Sequence, residues 1–280
     1  MKNESRDVVS AQSRHPELVS GSSHYDDEGS PLTPTLSRRA RGNRAAFTLA
    51  EVLITLAIIG VVATMTIPTL IADFQKKSTA IKVKKAYAEL IQAIKLSEID
   101  NGDFSTWDLG HQYTIENSRK VINKYIAPYY NGIWECGSGT EENSTNEKYC
   151  KGGVGAASVN YALPNGTVLS FQTDTYEINL IPVLVITNTN EDYKLGKTSF
   201  YFQIKNGKVE PALWQNGITR DDILNGFVSS MDGTNTYKVS CKNSIDGNST
   251  NGDGIEELHR HGCTALLYLD GFEFKDDYPW

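Results

Sequence analysis

Cysteine, net positive charge and long apolar runs are all scarce in this 280-residue chain. Its four cysteines are too few for a disulfide-dense miniprotein. The net charge of −7 argues against nucleic acid as the main partner, because neutralising phosphates needs a basic excess. A negative mean hydropathy excludes a polytopic membrane protein. Hydrophobic residues still make up 39% of the chain, which is enough for a folded core.

One apolar run, FTLAEVLITLAIIGVVATMTIPTLIA at residues 47–72, is long enough to cross a bilayer, which takes about 20 apolar residues. The preceding RRARGNRAA, residues 38–46, has four arginines and no acid. Because positive flanks stay cytoplasmic, the chain after the run is expected on the far side of the membrane. The run is too long for the core of a cleavable signal peptide. On hydropathy alone, a generic signal anchor remains an alternative.

Two residues inside the run have unusual chemistry for a membrane segment. Glu51 is its only charge, and a carboxylate in hydrocarbon is costly enough to be a functional candidate, unless it lies at the membrane interface. Pro68 removes one helical hydrogen bond. After Pro68, apolar residues recur every three or four positions, which predicts one helix over 47–101 with its transmembrane segment at 47–72. These apolar residues are Val83, Tyr87, Leu90, Ile91 and Ile94.

The segment AAFTLAEVLITLAIIGVVATMTIPTLI resembles the N-terminal cleavage and methylation motif of type IV prepilins and type II secretion pseudopilins. The resemblance places the cut by prepilin peptidase between Ala46 and Phe47 and the N-methylation on Phe47. The family usually has glycine before the cut, where this chain has Ala46. Glu51 becomes the fifth residue after the cut, and Pro68 the twenty-second, where pilin-like helices commonly have a proline.

The resemblance also implies how such subunits work. They sit in the bacterial inner membrane as single-pass proteins, with a cytoplasmic N-terminus and a periplasmic or extracellular head. Copies of the chain and other pilin-like subunits stack through their helices into a pseudopilus or pilus, on an inner-membrane assembly platform. The Glu51 carboxylate would then face the N-terminal amine of a neighbouring subunit, because an unpaired acid in hydrocarbon is destabilising.

Residues 1–46 are interpreted as an unstructured leader. The stretch RHPELVSGSS resembles translated intergenic sequence, so we expect the natural start nearer Leu36. The alternative is a genuinely long cytoplasmic tail.

Residues 102–280 are predicted to form an exported head. Two apolar segments turn at Asn165-Gly166 and Asn206-Gly207, which are typical hairpin turns. A strand is predicted at 180–187, a last strand or hairpin at 264–274, and a short helix near 116–126. The fold class is therefore α+β: a long N-terminal helix packed on an antiparallel sheet, as the resemblance also implies. The ending DYPW is similar to the tails of many pseudopilin-like proteins.

All four cysteines lie in the part expected to be exported, where disulfides persist. Four cysteines allow three pairings, and proximity in sequence favours Cys136 with Cys150 and Cys241 with Cys263. The rival interpretation is a zinc site built from His259, His261 and Cys263. Its spacing is not that of a standard zinc module.

The loop SIDGNSTNGDGIEEL has closely spaced oxygen ligands among glycines, a pattern typical of calcium sites. No other cofactor is indicated, and the alternative is a solvated polar insertion. The candidate ligands are Asp246, Asn248, Asn251, Asp253, Glu256 and Glu257.

No catalytic motif is recognisable, so a structural subunit is expected rather than an enzyme. Two alternatives stay open. One is a signal-anchored exported binding protein or enzyme that remains monomeric. The other is a DNA-uptake pilin, which the acidic head disfavours.

Overall fold

The computed structural model describes residues 47–110, 112–139, 150, 153–173, 179–189, 194–212, 214–230, 236–241, 248–250 and 256–280. Only the backbone is described for residues 229, 230, 236, 237, 248–250 and 256–259. The chain divides into two compact units, Met1–Thr55 and Leu56–Trp280, and their boundary falls inside the first helix.

The first helix, α1, runs from Leu49 to Asn101 and contains Pro68. The predicted helix over 47–101 is confirmed to within two residues. It ends as the sequence indicates, because Gly102 adopts a left-handed backbone with φ of 81°. The Gly102 N–H still donates to the Glu98 carbonyl at 3.1 Å, which closes the last turn.

Among the described residues, three shorter α-helices, two short 3-10 helices (Phe104–Thr106 and Ala127–Tyr129) and ten strands follow α1. The helices are α2 (Ile115–Tyr125), α3 (Arg220–Asn225) and α4 (Cys263–Leu269). The first six strands are β1 (Trp134–Ser138), β2 (Val159–Ala162), β3 (Val168–Phe171), β4 (Leu180–Ile186), β5 (Ser199–Lys205) and β6 (Lys208–Pro211). The last four are β7 (Phe227–Ser230), β8 (Thr236–Ser240), β9 (Asn248–Thr250) and β10 (Glu256–His259).

The six strands β1 to β6 pair in chain order to form one antiparallel sheet. Both predicted hairpins are confirmed: Gly166 has φ of 77°, and Asn206 and Gly207 have φ of 51° and 73°. Two consecutive positive φ values give the tight turn whose twist matches antiparallel strands. β4 is buried along its whole length, which explains why its sequence, LIPVLVI, is continuously apolar. The predicted α+β class is confirmed.

A second sheet of four strands, in the order β7-β8-β10-β9, was not predicted. Its β8 and β10 strands run parallel, whereas its other two pairs are antiparallel. The sequence from Asn243 to Glu257 is rich in Asn, Ser and Gly and lacks alternation of apolar and polar residues, whereas TYKVSC at residues 236–241 alternates strictly. β8 therefore has the alternation typical of a strand, although no strand was predicted there, whereas β9 and β10 lack it.

The predicted strand or hairpin at 264–274 is wrong, because this segment begins with α4. Residues 263–267 are all buried, so no amphipathic period distinguishes a helix from a strand. The Asp270-Gly271 pair, taken for a hairpin turn, instead ends the helix. Gly271 N–H donates to the Tyr268 carbonyl and Phe272 N–H to the Leu267 carbonyl, which is a Schellman cap.

The second half of α1 forms one wall of the core of the head. Its buried residues share a hydrophobic cluster with the strand residues Phe171, Phe200 and Phe202. Lys82, beside this face, donates from Nζ to the Thr187 carbonyl at 2.8 Å. The buried face of α1 consists of Ala80, Val83, Ala86, Leu90, Ala93, Ile94 and Ser97.

Removing one buried side chain from this face should destabilise the head. Leu90 is 1% exposed, so Leu90→Ala should cost about 2–5 kcal/mol of unfolding free energy. Leu96→Ala, in the same helix at 39% exposure, should cost well below that. Thermal unfolding of the detergent-solubilised chains measures both. Equal losses from the two variants would contradict the packing described.

Candidate functional site

The start of α1 is held by a reciprocal pair of hydrogen bonds between Thr48 and Glu51. The Thr48 N–H donates to Glu51 Oε2 at 2.8 Å, and the Glu51 N–H donates to Thr48 Oγ1 at 3.2 Å. The Thr48 hydroxyl also donates to Glu51 Oε2 at 2.9 Å. This is a capping box, which satisfies backbone donors that the first turn leaves open. The functional candidate Glu51 therefore also caps its own helix.

The predicted N-methylation residue, Phe47, is 84% exposed. Its cleavage partner Ala46 lies outside the described residues. Cleavage and methylation therefore stay predictions at this point.

The first half of α1 exposes an almost continuous apolar surface. None of its most apolar 18-residue window is buried, and the helix is long and apolar enough to cross a membrane. Soluble proteins rarely expose apolar patches of this extent, so such a surface marks an interaction with membrane or protein. Its large exposed side chains before Pro68 are Phe47, Leu49, Val52, Leu53, Ile54, Leu56, Ile58, Ile59, Val61, Val62, Met65 and Ile67.

The threonines in this apolar half satisfy their hydroxyls within the helix. Thr55, Thr64 and Thr66 donate to the carbonyls of residues three or four positions earlier, at 2.9, 2.8 and 3.0 Å. Thr69 does the same toward the Thr66 carbonyl at 2.9 Å. In hydrocarbon, polar groups need internal partners. These hydroxyls therefore do not prevent insertion. Pro68 lies among them without ending the helix.

The C-terminal tail of the head is fixed by an ion-pair network that sequence reasoning missed. The Arg220 guanidinium contacts the Asp277 carboxylate through two hydrogen bonds of 2.6 and 2.5 Å. The Arg220 Nε donates to Asp270 at 2.8 Å, and Lys275 Nζ lies 2.7 Å from the same carboxylate. The Asp270 side chain is 1% exposed, so it depends on these partners. The cluster of acids near the chain end was visible in the sequence, but its distant partner Arg220 was not.

Two further contacts hold the tail against the β4–β5 connection. The buried Tyr278 hydroxyl donates to the Gly196 carbonyl at 2.7 Å, and burial raises the pKa of this phenol. Arg260 donates from Nε to the Leu195 carbonyl and from Nη2 to the Pro279 carbonyl, at 2.7 and 2.9 Å. The DYPW ending is therefore a structural anchor of the head.

Both favoured disulfides are confirmed. Cys136 pairs with Cys150, and Cys241 pairs with Cys263. The second bond ties the end of β8 to the first residue of α4. Because Cys263 is in a disulfide, it is not a thiolate ligand, and the alternative zinc site of His259, His261 and Cys263 is wrong.

The proposed calcium loop lies mostly outside the described residues. Asp246, Asn251 and Asp253 belong to the undescribed part, whereas Asn248 lies in β9 and the two glutamates, 256 and 257, in β10. Pairing of Leu258 with Asn248 and of Glu256 with Thr250 makes this segment a hairpin backbone. Among the residues the structure describes, no group of three acidic, histidine or cysteine side chains is placed to hold a metal. The calcium site therefore remains a prediction.

Two parts of the chain match known protein families. Residues 41–67 match the prokaryotic N-terminal methylation motif, which is the feature of type IV pilin-like proteins and pseudopilins. The chain is therefore pilin-like. Residues 69–280 match the family of unknown function DUF6613, and the chain belongs to that family. Comparison with curated proteins and with solved structures gave no significant match.

The ion pair between Asp277 and Arg220 predicts a pH-dependent contribution to stability. Hydrogen bonds from Arg220 lower the pKa of the Asp277 carboxyl, so the folded state favours its ionised form. The contribution is present above the pKa of an unfolded aspartate, about 3.9, and is lost as the pH falls through the lowered folded value. Asp277→Asn should therefore lower the melting temperature at pH 7.

The difference from the unsubstituted chain should vanish at the acid end of a melting series between pH 7 and pH 2. Asp276→Asn is the matched control, because this neighbouring acid is exposed and has no ion pair among the described residues. It should change the melting temperature little at any pH. A penalty in Asp277→Asn that is independent of pH would contradict the role given to the ionised carboxylate.

Proposed function

We propose that this protein is a structural subunit of a fibre, either a type II secretion pseudopilus or a type IV pilus. Prepilin peptidase would cut the precursor between Ala46 and Phe47, and the new N-terminus would be methylated. The observation that carries the proposal is the methylation motif on a helix whose apolar first half is exposed. The localisation that follows is the inner membrane, with the head on the periplasmic or extracellular side.

The division of α1 into two halves supports a role in assembly. One face of its second half is buried in its own head from Ala80 onward, whereas the large apolar side chains before Pro68 are exposed. Each buried CH₂ is worth about 0.8 kcal/mol, so this surface needs a non-aqueous environment. Lipid provides one before assembly. Helices of other copies would provide one in a fibre.

Glu51 supports a specific axial register between subunits. In the free chain its carboxylate has only hydrogen-bond donors from Thr48, and no cation among the described residues neutralises it. Cleavage before Phe47 would create a free amine one residue ahead of Thr48. The amine of one subunit would pair with Glu51 of the next, and the pair would favour the register that brings the two charges together.

Processing at Ala46–Phe47 is tested by the mass of the mature N-terminus. We expect the membrane fraction of the native host to contain a chain that starts with N-methylated phenylalanine. Ala46→Arg should block the cut, because a long charged side chain replaces a small one beside the scissile bond. Ala45→Ser, one position earlier and still small, is the matched control and should be processed normally.

A native chain that keeps its arginine-rich N-terminal segment would contradict the proposal. It would favour the alternative of a signal-anchored exported protein that stays monomeric.

Removal of the Glu51 charge should impair assembly but leave processing intact. Glu51→Gln keeps an oxygen that accepts from Thr48, so helix start and cleavage should persist. Sheared-fibre yield should fall about tenfold or more, since losing one partner of a buried ion pair costs about 3–5 kcal/mol.

The control for Glu51→Gln is Thr55→Val, which removes a hydroxyl that donates only to the Val52 carbonyl in the same helix. Its fibre yield should stay near that of the unsubstituted chain. A full yield of processed Glu51→Gln fibres would rule out the ion pair as the determinant of assembly.

A further inference from the structure

Positive charge is concentrated on α1 directly after its apolar segment. Residues 73–85 contain five lysines and one acid, Asp73, whereas residues 47–280 as a whole have a net charge of −8. With a rise of about 1.5 Å per residue, Lys76 and Lys77 lie about 6–8 Å along the helix beyond Ala72, the end of the apolar run. This distance corresponds to the headgroup layer of a bilayer whose hydrocarbon core ends near Ala72.

The head adds a third cation, Lys197, and an indole ring at the same level. The Nζ atoms of Lys76 and Lys197 each lie 5.9 Å from the centroid of the Trp280 ring. A groove of about 180 Å³ includes Lys197, Trp280 and the ring of Phe74, which is 72% exposed. Tryptophan and lysine together are enriched at membrane–water interfaces. We define the basic collar as Phe74, Lys76, Lys77, Lys197 and Trp280.

A second groove, of about 550 Å³, extends from the collar to the loop after α4. Lys76, Lys77 and Lys84 line it, together with the rings of Phe272 and Phe274. Two acids, Asp73 and Glu273, also line it, so lysines exceed acids by one. Lys77 and Lys84 have no ion pair among the described residues. Their ammonium groups are therefore available to an external anion.

We propose that the basic collar binds the phosphate headgroups of anionic phospholipids in the leaflet from which α1 emerges. The lysines would contact the phosphates, and the rings of Phe74 and Trp280 would lie at the boundary with the acyl chains. This contact holds the head against the membrane before assembly. The proposal rests on the insertion of α1 into the membrane, which is part of the proposed function. The contact with lipid requires neither cleavage nor fibre formation.

Lipid is favoured over nucleic acid, which also presents phosphates, for two reasons. The collar lies within two turns of a helix segment that itself needs a bilayer, so headgroups are at contact distance without any further binding step. The exposed ring of Phe74 and the partly buried ring of Trp280 flank the lysines, and acyl chains match these rings better than a solvated duplex backbone does. The acidic remainder of the head would repel a long polyanion.

The test uses the full chain in nanodiscs of phosphatidylcholine alone or with about 30% phosphatidylglycerol. Lysine acetylation by a brief pulse of reagent is read residue by residue by mass spectrometry. In anionic discs, Lys76, Lys77 and Lys197 should be acetylated about threefold or more slowly, because a phosphate-bound ammonium is protected. Lys95, Lys120 and Lys208, which are exposed elsewhere on the chain, are the internal controls and should not change.

Variants provide an independent readout. By native mass spectrometry from mild detergent, the unsubstituted chain should retain phosphatidylglycerol in preference to phosphatidylcholine. The triple variant Lys76→Gln, Lys77→Gln, Lys197→Gln should lose that preference. The charge-matched control Lys95→Gln, Lys120→Gln, Lys208→Gln should keep it.

Three outcomes would overturn the proposal. The first is equal protection of the collar in both kinds of disc. The second is protection by about 10 mM inorganic phosphate in neutral discs, which would make the collar a site for free phosphate. The third is tight binding of a labelled DNA oligonucleotide that the collar variant abolishes while lipid retention is unaffected. Failure of N-terminal processing would leave these measurements unchanged, so the two proposals fail separately.

Discussion

The structure depends on one constraint: a single helix, α1, must pack into the core of the head with one half and expose an apolar surface with the other. From Ala80 to Ser97, one face of α1 is buried in the head, and small and aliphatic residues form that face. Before Pro68 the same helix has no covered side at all. The hydroxyls of Thr55, Thr64 and Thr66 in that region are hydrogen-bonded within the helix, so apart from Glu51 the segment is suited to a medium without water.

The head is built to hold its half of the helix firmly. An antiparallel sheet in simple chain order provides the wall opposite α1, and its central strand β4 is buried along all seven residues. Two disulfides close local loops and so reduce the entropy of the unfolded chain. The tail is then tied back by Arg220, Arg260 and Tyr278.

The distribution of charge along the chain follows the same division between the apolar run and the head. Arginines precede the apolar run and lysines follow it, whereas the rest of the chain after the run is acidic. The lysine cluster after the run is the only part of the described helix with so dense a charge of one sign. In the proposed membrane-inserted state, the apolar segment would set the depth of α1 in the bilayer, and the basic collar would set the height of the head above it.

Much of this protein follows from its sequence alone. The apolar run, its flanking arginines, Glu51 and Pro68 identified the helix and the pilin-like motif, since each signal is local and one-dimensional. The hairpins at Asn165-Gly166 and Asn206-Gly207 were equally local, because only certain residues accept positive φ. Sequence proximity also ranked the two disulfides correctly.

Tertiary structure alone decided the rest, in each case because the deciding contact is distant in sequence. The helix that begins at Cys263 is buried over its first five residues, which removes the apolar–polar periodicity that would have distinguished it from a strand. The parallel pairing of β8 with β10 sets Tyr237 opposite Glu256, a register that the alternation within β8 does not specify. Arg220 binds Asp277, which is 57 positions away in the sequence. Lys76 and Lys197, also distant in sequence, both lie near the ring of Trp280. No local rule fixes such a meeting, because it arises only once the chain has packed.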